Sequence, residues 1–200
     1  MGQLPLTVYE WPSSKGSLKL HDGLLVIALR TDAEMSRIQA RIQVREALKQ
    51  LLAILLSYPI NKITIFSEPG QAVRLLQPKE NIGISISHEH EMSMAAINMN
   101  GYCGIDMMSI SSISNLDEIN AIALDYLGSQ TATNISNLPT HQRIKAFAKA
   151  WTEFEAYMKC KGEPIVEWSP TRDNLASNYS YKTLKLPQDY IGTIAYAKKA

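Results

Sequence analysis

The sequence predicts an α+β protein. Short apolar runs of strand length, LLVIALR, GISIS and MSMAAIN, are separated by turn residues. Two long stretches, near 32–57 and 140–161, carry helical signals at both ends. A rhythm of strand, long helix and two strands occurs in each half of the chain, with no repeat of sequence between the halves. The 200 residues, 46% of them hydrophobic, suffice for one large domain or two small lobes sharing an interface.

Taken in order, SLKL, then His21-Asp22-Gly23, then LLVIALR predicts a hairpin, because glycine accepts the positive φ of a tight turn. Thr31 and Glu34 have capping-box spacing, which predicts a helix from about Asp32 to Ser57, stopped by Pro59. KITIF (Lys62 to Phe66) is a short strand, followed by a polar loop through Glu80. Ile84 to Ser87, Met92 to Asn98 and Tyr102 to Asp106 are further strands. Asn115 to Leu127 predicts a helix ending at Gly128, Gly128 to Pro139 a Ser/Thr/Asn-rich loop, and Thr140 to Lys161 a long helix. Tyr179 to Leu186 and Tyr190 to Ala197 form a last hairpin.

A formal charge of +1 argues against bulk electrostatic binding of nucleic acid, so any anion site must be local. The two cysteines, Cys103 and Cys160, have no secretory context and do not suggest a disulfide framework. The N-terminus lacks a basic region followed by an apolar run, and LLVIAL and LLAILL are too short to span a bilayer. A soluble, cytoplasmic monomer without a membrane or nucleic-acid partner is expected.

Several residues carry chemistry. Asp106 ends an apolar strand, and a carboxylate there is either an exposed turn acid or a buried group needing a partner or metal. In WTEFEAYMKCKGEP (Trp151 to Pro164), Glu155 and Lys159 stand four apart, so a helix puts them on one face. Ser87 and His88 end the strand begun at Gly83. The first long helix carries Arg37, Arg41, Arg45 and Lys49 at four-residue spacing, with Ile38, Ile42, Leu48, Leu52 and Leu55 alongside as a core stripe. No acid sits on that basic row, and a guanidinium suits a phosphate monoester.

The order Ser87-His88, then Gly104-Ile105-Asp106, then Trp151-Thr152-x-x-Glu155-Ala156-x-x-Lys159 resembles the signature of the 4'-phosphopantetheinyl transferase superfamily, of the surfactin-synthetase type. The resemblance covers roughly Arg37 to Gly162. It implies two similar lobes related by pseudo-twofold symmetry, each a small antiparallel sheet packed on a long helix, with coenzyme A at the seam. The lobes would be residues 1–99 and 100–200, the boundary falling near Asn98 to Gly101. It also implies Mg²⁺ on Asp106 and Glu155, with Ser87, His88 and Asp106 contacting coenzyme A and Lys159 neutralising the leaving phosphate. Arg37, Arg41 and Arg45 become candidates for the 3'-phosphate, and Glu155 for the base. The partner implied is an apo acyl, polyketide or peptidyl carrier protein, whose serine receives phosphopantetheine as 3',5'-adenosine bisphosphate leaves. The chain departs from the family pattern at Met108, where many relatives have an acid, at Phe154, where many have lysine, and at Gly70-Gln71-Ala72, usually Gly-Lys-Pro. Those departures mark a divergent member, and a non-catalytic coenzyme A- or carrier-protein-binding relative is the alternative.

Overall fold

Seven strands join in one sheet that draws on both halves of the chain. The computed structural model describes residues 4–32, 34–68, 71–113, 115–170 and 178–197. Among them the strands are β1 (Leu6–Glu10), β2 (Leu24–Arg30), β3 (Thr64–Phe66), β4 (Arg74–Gln77), β5 (Gly83–Glu89), β6 (Met92–Asn98), β7 (Cys103–Ser109), β8 (Tyr179–Lys185) and β9 (Tyr190–Ala197). The helices are α1 (Arg37–Leu56), α2 (Leu116–Ile122), α3 (Ser129–Ser136) and α4 (Thr140–Lys161). The large sheet runs β5-β6-β2-β1-β8-β9-β7, and β3 and β4 form a separate two-stranded ladder. Pairing is antiparallel except that β1 lies parallel to both β2 and β8. The α+β expectation is met, and the two halves contribute contiguous blocks of strands to a shared sheet.

One apolar cluster draws Leu6, Val26, Met94, Ile105, Leu184 and Ile194 from six different strands, so the sheet curls around a shared interior. Its outer strands, β5 and β7, close on each other through side chains. Ser85 Oγ accepts the Ile105 N–H at 3.0 Å, and Ser87 Oγ accepts the Met107 N–H at 3.3 Å. Each hydroxyl stands in for the carbonyl that a regular ladder would supply. α1 packs Val44, Ala47, Leu48, Leu51 and Leu52 onto Leu25, Ile27, Ala95 and Ile97 on the outer face. Each fully buried Val, Leu or Ile among them contributes about 1.5–3 kcal/mol.

Several expectations need correction. The turn at Asp22 and Gly23 forms, with φ of 55° and 82°, but SLKL is not a strand. Both edges of β2 are already taken, by β1 and β6, so no hydrogen-bonding edge remains for it. The first helix starts at Arg37, not Asp32, because Ser36 is its cap and exchanges bonds with Gln39. Thr31 instead prolongs the β2 ladder, donating its N–H to Glu91 O at 3.0 Å. Ala33, inside the expected capping box, lies outside the described residues. Ile38 and Ile42 are 70% and 54% exposed and do not belong to the core stripe. The expected loops contain β4 and α3, and the helix from Asn115 breaks into α2 and a π turn at Ala123–Leu127. β7 continues to Ser109, which places Asp106 inside the strand and not at its end. Among the described residues no helix is long and apolar enough to cross a membrane.

Candidate active site

Alternation along β7 sets the site. Cys103, Ile105 and Met107 enter the shared interior, which leaves Gly104 and Asp106 on the opposite face, toward α4. Gly104 lets the helix come close, since a Cβ there would run into the Ala156 carbonyl and the Cys160 nitrogen. That approach brings Asp106 within reach of α4.

Asp106, only 5% exposed, accepts from Lys159 Nζ at 2.6 Å and from Ser87 Oγ at 2.9 Å, both at Oδ1. Lys159 also meets Glu155 Oε2 at 3.4 Å, as their four-residue spacing on α4 requires. The far oxygen of Glu155 accepts the Trp151 indole N–H at 3.0 Å, so a residue one turn back holds the carboxylate in place. Two acids and one ammonium therefore converge, with one negative charge in excess when all are ionised. Burial pushes the Asp106 carboxyl up to about 6; the Glu155 charge adds to this, while Lys159 and the Ser87 bond oppose it. Burial pulls the Lys159 ammonium down, but the Asp106 and Glu155 charges outweigh it and raise its pKa.

His88, near the end of β5, faces a cluster of cations. Burial, then Arg41, Arg37, Lys159 and Arg45, lowers its pKa to about 4, so the ring is neutral at physiological pH. It lines two cavities. One of ≈170 Å³ also includes Arg41, Arg45, Ser67, Glu68 and Gln71. The other, of ≈400 Å³, includes Thr31, Arg37, Glu89 and His90. Arg45 is already engaged, donating to Ser67 Oγ at 2.7 Å, and Lys49 pairs with Glu46 at 3.7 Å. Arg37 and Arg41 make no ion pair among the described residues, which leaves them available to an anion. Glu68 offsets part of this charge and binds Gln71 at 3.0 Å.

The eight residues that the resemblance assigns to the site, Arg37, Arg41, Arg45, Ser87, His88, Asp106, Glu155 and Lys159, lie on α1, β5, β7 or α4. Asp106, Glu155, Lys159 and Ser87 are joined directly, whereas His88 and the arginines form a neighbouring basic cleft. Ser87 is 3% exposed with its hydroxyl committed to Asp106 and β7, so it holds the acid and does not face an open surface. Met108 packs in an apolar cluster with α2 and α4, and Phe154 is buried beside Tyr157 and Met158. Gly70 lies outside the described residues. Sequence reading missed Ser85 and the role of Trp151. Serine alternating with isoleucine in a buried strand, and an indole four residues before Glu155, were the available signals. Two larger cavities, of ≈590 Å³ beside Met35 and Ile42 and of ≈510 Å³ beside Trp11 and Leu186, include none of the triad residues.

No family model matches the chain. It is 28% identical over 83 residues to 4'-phosphopantetheinyl transferase HetI of Nostoc sp. (strain PCC 7120 / SAG 25.82 / UTEX 2576). That match spans 42% of this chain and 34% of the relative, so the chain matches about a third of that protein's length.

Proposed function

We propose that this protein transfers 4'-phosphopantetheine from coenzyme A to a serine of an apo carrier protein. The observation that carries the reading is the Asp106–Lys159–Glu155 triad, two acids on one ammonium, beside a cleft holding Arg37, Arg41 and His88. The partial likeness to the Nostoc transferase supports it. In this reading the two halves of the chain act as two lobes, 1–99 and 100–200, with coenzyme A across their junction.

In this reading Asp106 and Glu155 are the carboxylates of a Mg²⁺ site, and Lys159, which bridges them at 2.6 and 3.4 Å, shifts toward the substrate phosphate when the ion binds. The two carboxylates are hard oxygen donors with a negative charge in excess, and such an ion takes its remaining ligands from water and substrate phosphates. Asp106 and Glu155 would hold it, and when bound it would polarise the pyrophosphate. The chain's own residues do the rest. Arg37, Arg41 and neutral His88 bind the nucleotide phosphates, with Arg45 as a reserve donor once it leaves Ser67. The carrier serine oxygen attacks the phosphorus that bears pantetheine, and the P–O bond to the adenosine bisphosphate breaks. Glu155, steadied by Trp151, takes the serine proton. Lys159 remains charged because two acids flank it, and it neutralises the departing phosphate.

Intact mass after incubation with coenzyme A, Mg²⁺ and a panel of apo carrier proteins tests the reading. One added phosphopantetheine, abolished by EDTA and nearly abolished in Glu155→Gln, is the expected result. A second reading, a binding protein without turnover, draws support from Met108 and Phe154, whose side chains serve apolar packing in place of an acid and a lysine. Tight coenzyme A binding without transfer to any carrier would favour it.

A further inference from the structure

β6 is wholly buried, and its sequence MSMAAIN carries only Ser93 and Asn98 as polar residues. Ser93 is 1% exposed, between Leu29 of β2 and His88 of β5 in the register. A hydroxyl in such a place costs stability unless it is bonded. Its partner is the His88 ring, with Ser93 Oγ and His88 Nδ1 2.8 Å apart. The ring is half-buried and lines two cavities, and its other nitrogen, Nε2, has no hydrogen bond to a described residue.

We propose that Ser93 is a positioning residue: it pins the His88 imidazole from behind and donates to Nδ1, so that Nε2 carries the proton and serves as a donor in the arginine-lined cleft. The inference rests on the proposed function, in which that cleft takes the phosphates of coenzyme A. A neutral imidazole has one donor nitrogen, and the partner of the other decides which one it is. Arg37, Arg41 and Arg45 of α1 and Lys159 of α4 surround the ring and disfavour a second proton, while Glu89 and His90 share its larger cavity. A hydroxyl also suits both states of the ring. If a phosphate dianion offsets the arginines and the ring takes up a proton, the serine oxygen can turn to accept from Nδ1. Alanine can do neither.

Imidazole ¹⁵N spectra of the wild-type protein test the first half, and the Nε2–H tautomer is the expected finding. The Nδ1–H tautomer as the dominant form would overturn the proposal. In Ser93→Ala the His88 nitrogen signals are expected to move toward a mixture of tautomers, and unchanged signals would also overturn it. Coenzyme A affinity, by calorimetry, is expected to fall roughly tenfold in His88→Ala and several-fold in Ser93→Ala, as for loss or misplacement of one charge-assisted bond. Adding Ser93→Ala to His88→Ala is expected to change affinity no further. A further independent loss in the double variant would mean that Ser93 acts through packing, which overturns the proposal. If His88→Ala weakens coenzyme A but Ser93→Ala does not, positioning fails while the phosphate cleft stands. If neither does, His88 is not a ligand contact and the inference falls with it; the carrier-protein assay judges the transfer reading separately.

Discussion

Lys159 does more than pair with its helical neighbour. It is the cation that compensates a carboxylate buried to 5% exposure, so truncating it leaves Asp106 stranded. A helical Glu-Lys pair alone contributes about 0.3–0.5 kcal/mol, whereas uncovering a buried charge costs up to ~3–5 kcal/mol, less here because Lys159 is partly exposed. Lys159→Ala is therefore expected to lower the melting temperature clearly at pH 8 and less at pH 5, where Asp106 can protonate. An equal loss at both pH values would mean that protonation of Asp106 does not relieve the loss of Lys159. Asp106→Asn probes the same burial from the other side. A carboxyl raised to about 6 binds more protons folded than unfolded, so its contribution is fully present below about pH 4 and is lost as pH rises through 6. His88, lowered to about 4, works in the opposite sense over much of that window and masks it in the wild-type profile. The stability of the wild type minus that of Asp106→Asn is thus expected to fall between pH 4 and 6, by guanidinium unfolding at each pH. A difference that rises with pH would reverse the assignment. The pairing of Glu155 with Lys159 was legible in the sequence because it depends only on helical spacing. That Asp106 is the third member, and buried, was not legible, because it follows from how closely Gly104 lets α4 approach β7.

Elements whose ends are set by local chemistry are legible in the sequence, and those set by long-range pairing are not. The end of α4 is legible because it is local chemistry: Gly162 takes the left-handed position at φ 71° that closes the helix. The start of α1 is not legible because the sequence offers two capping boxes, and only the tertiary pairing of Thr31 with the turn before β6 excludes the first. β1 is not legible because LTVYE has no hairpin partner nearby; it is recruited in parallel by β2 and β8, a long-range choice. The basic row on α1 was visible, but only the fold divides it. Arg45 and Lys49 are occupied by Ser67 and Glu46, leaving Arg37 and Arg41 beside His88. Replacing Arg41 with alanine, or Arg37 and Arg41 together, is expected to weaken coenzyme A roughly 10- to 100-fold. That is the equivalent of about 1.5–3 kcal/mol for a charge-assisted bond, and 3'-dephospho-coenzyme A should be much less affected. Equal weakening of both ligands would assign these arginines to the pyrophosphate or to carrier docking. Lys49→Ala, at the far end of the row, is expected to leave both affinities unchanged.

At the scale of the molecule, the site depends on contacts between halves that sequence patterning cannot assign. Met94 of β6 and Ile194 of β9 share one interior, and Ser85 and Ser87 tie β5 to β7 directly over the triad. The periodicity of each strand tells which residues are buried, but not that the two sets are buried against each other. With so much apolar surface in common, neither block of strands keeps its core if the other unfolds, so a single cooperative transition is expected. Met94→Ala tests this, since it removes a side chain that is 0% exposed from the middle of the shared cluster. A loss of about 2–5 kcal/mol is expected for such a truncation. Hydrogen exchange is the discriminating readout. Protection should fall together in β6 and in β9, although β9 lies in the other half of the chain and is not a sheet neighbour of β6. Loss confined to β2, β5 and β6, with β7 and β9 keeping wild-type protection, would mean that the halves are stable separately. The triad, which hangs from β7 and α4 but is braced by Ser87 of β5, would then have to survive on the second half alone.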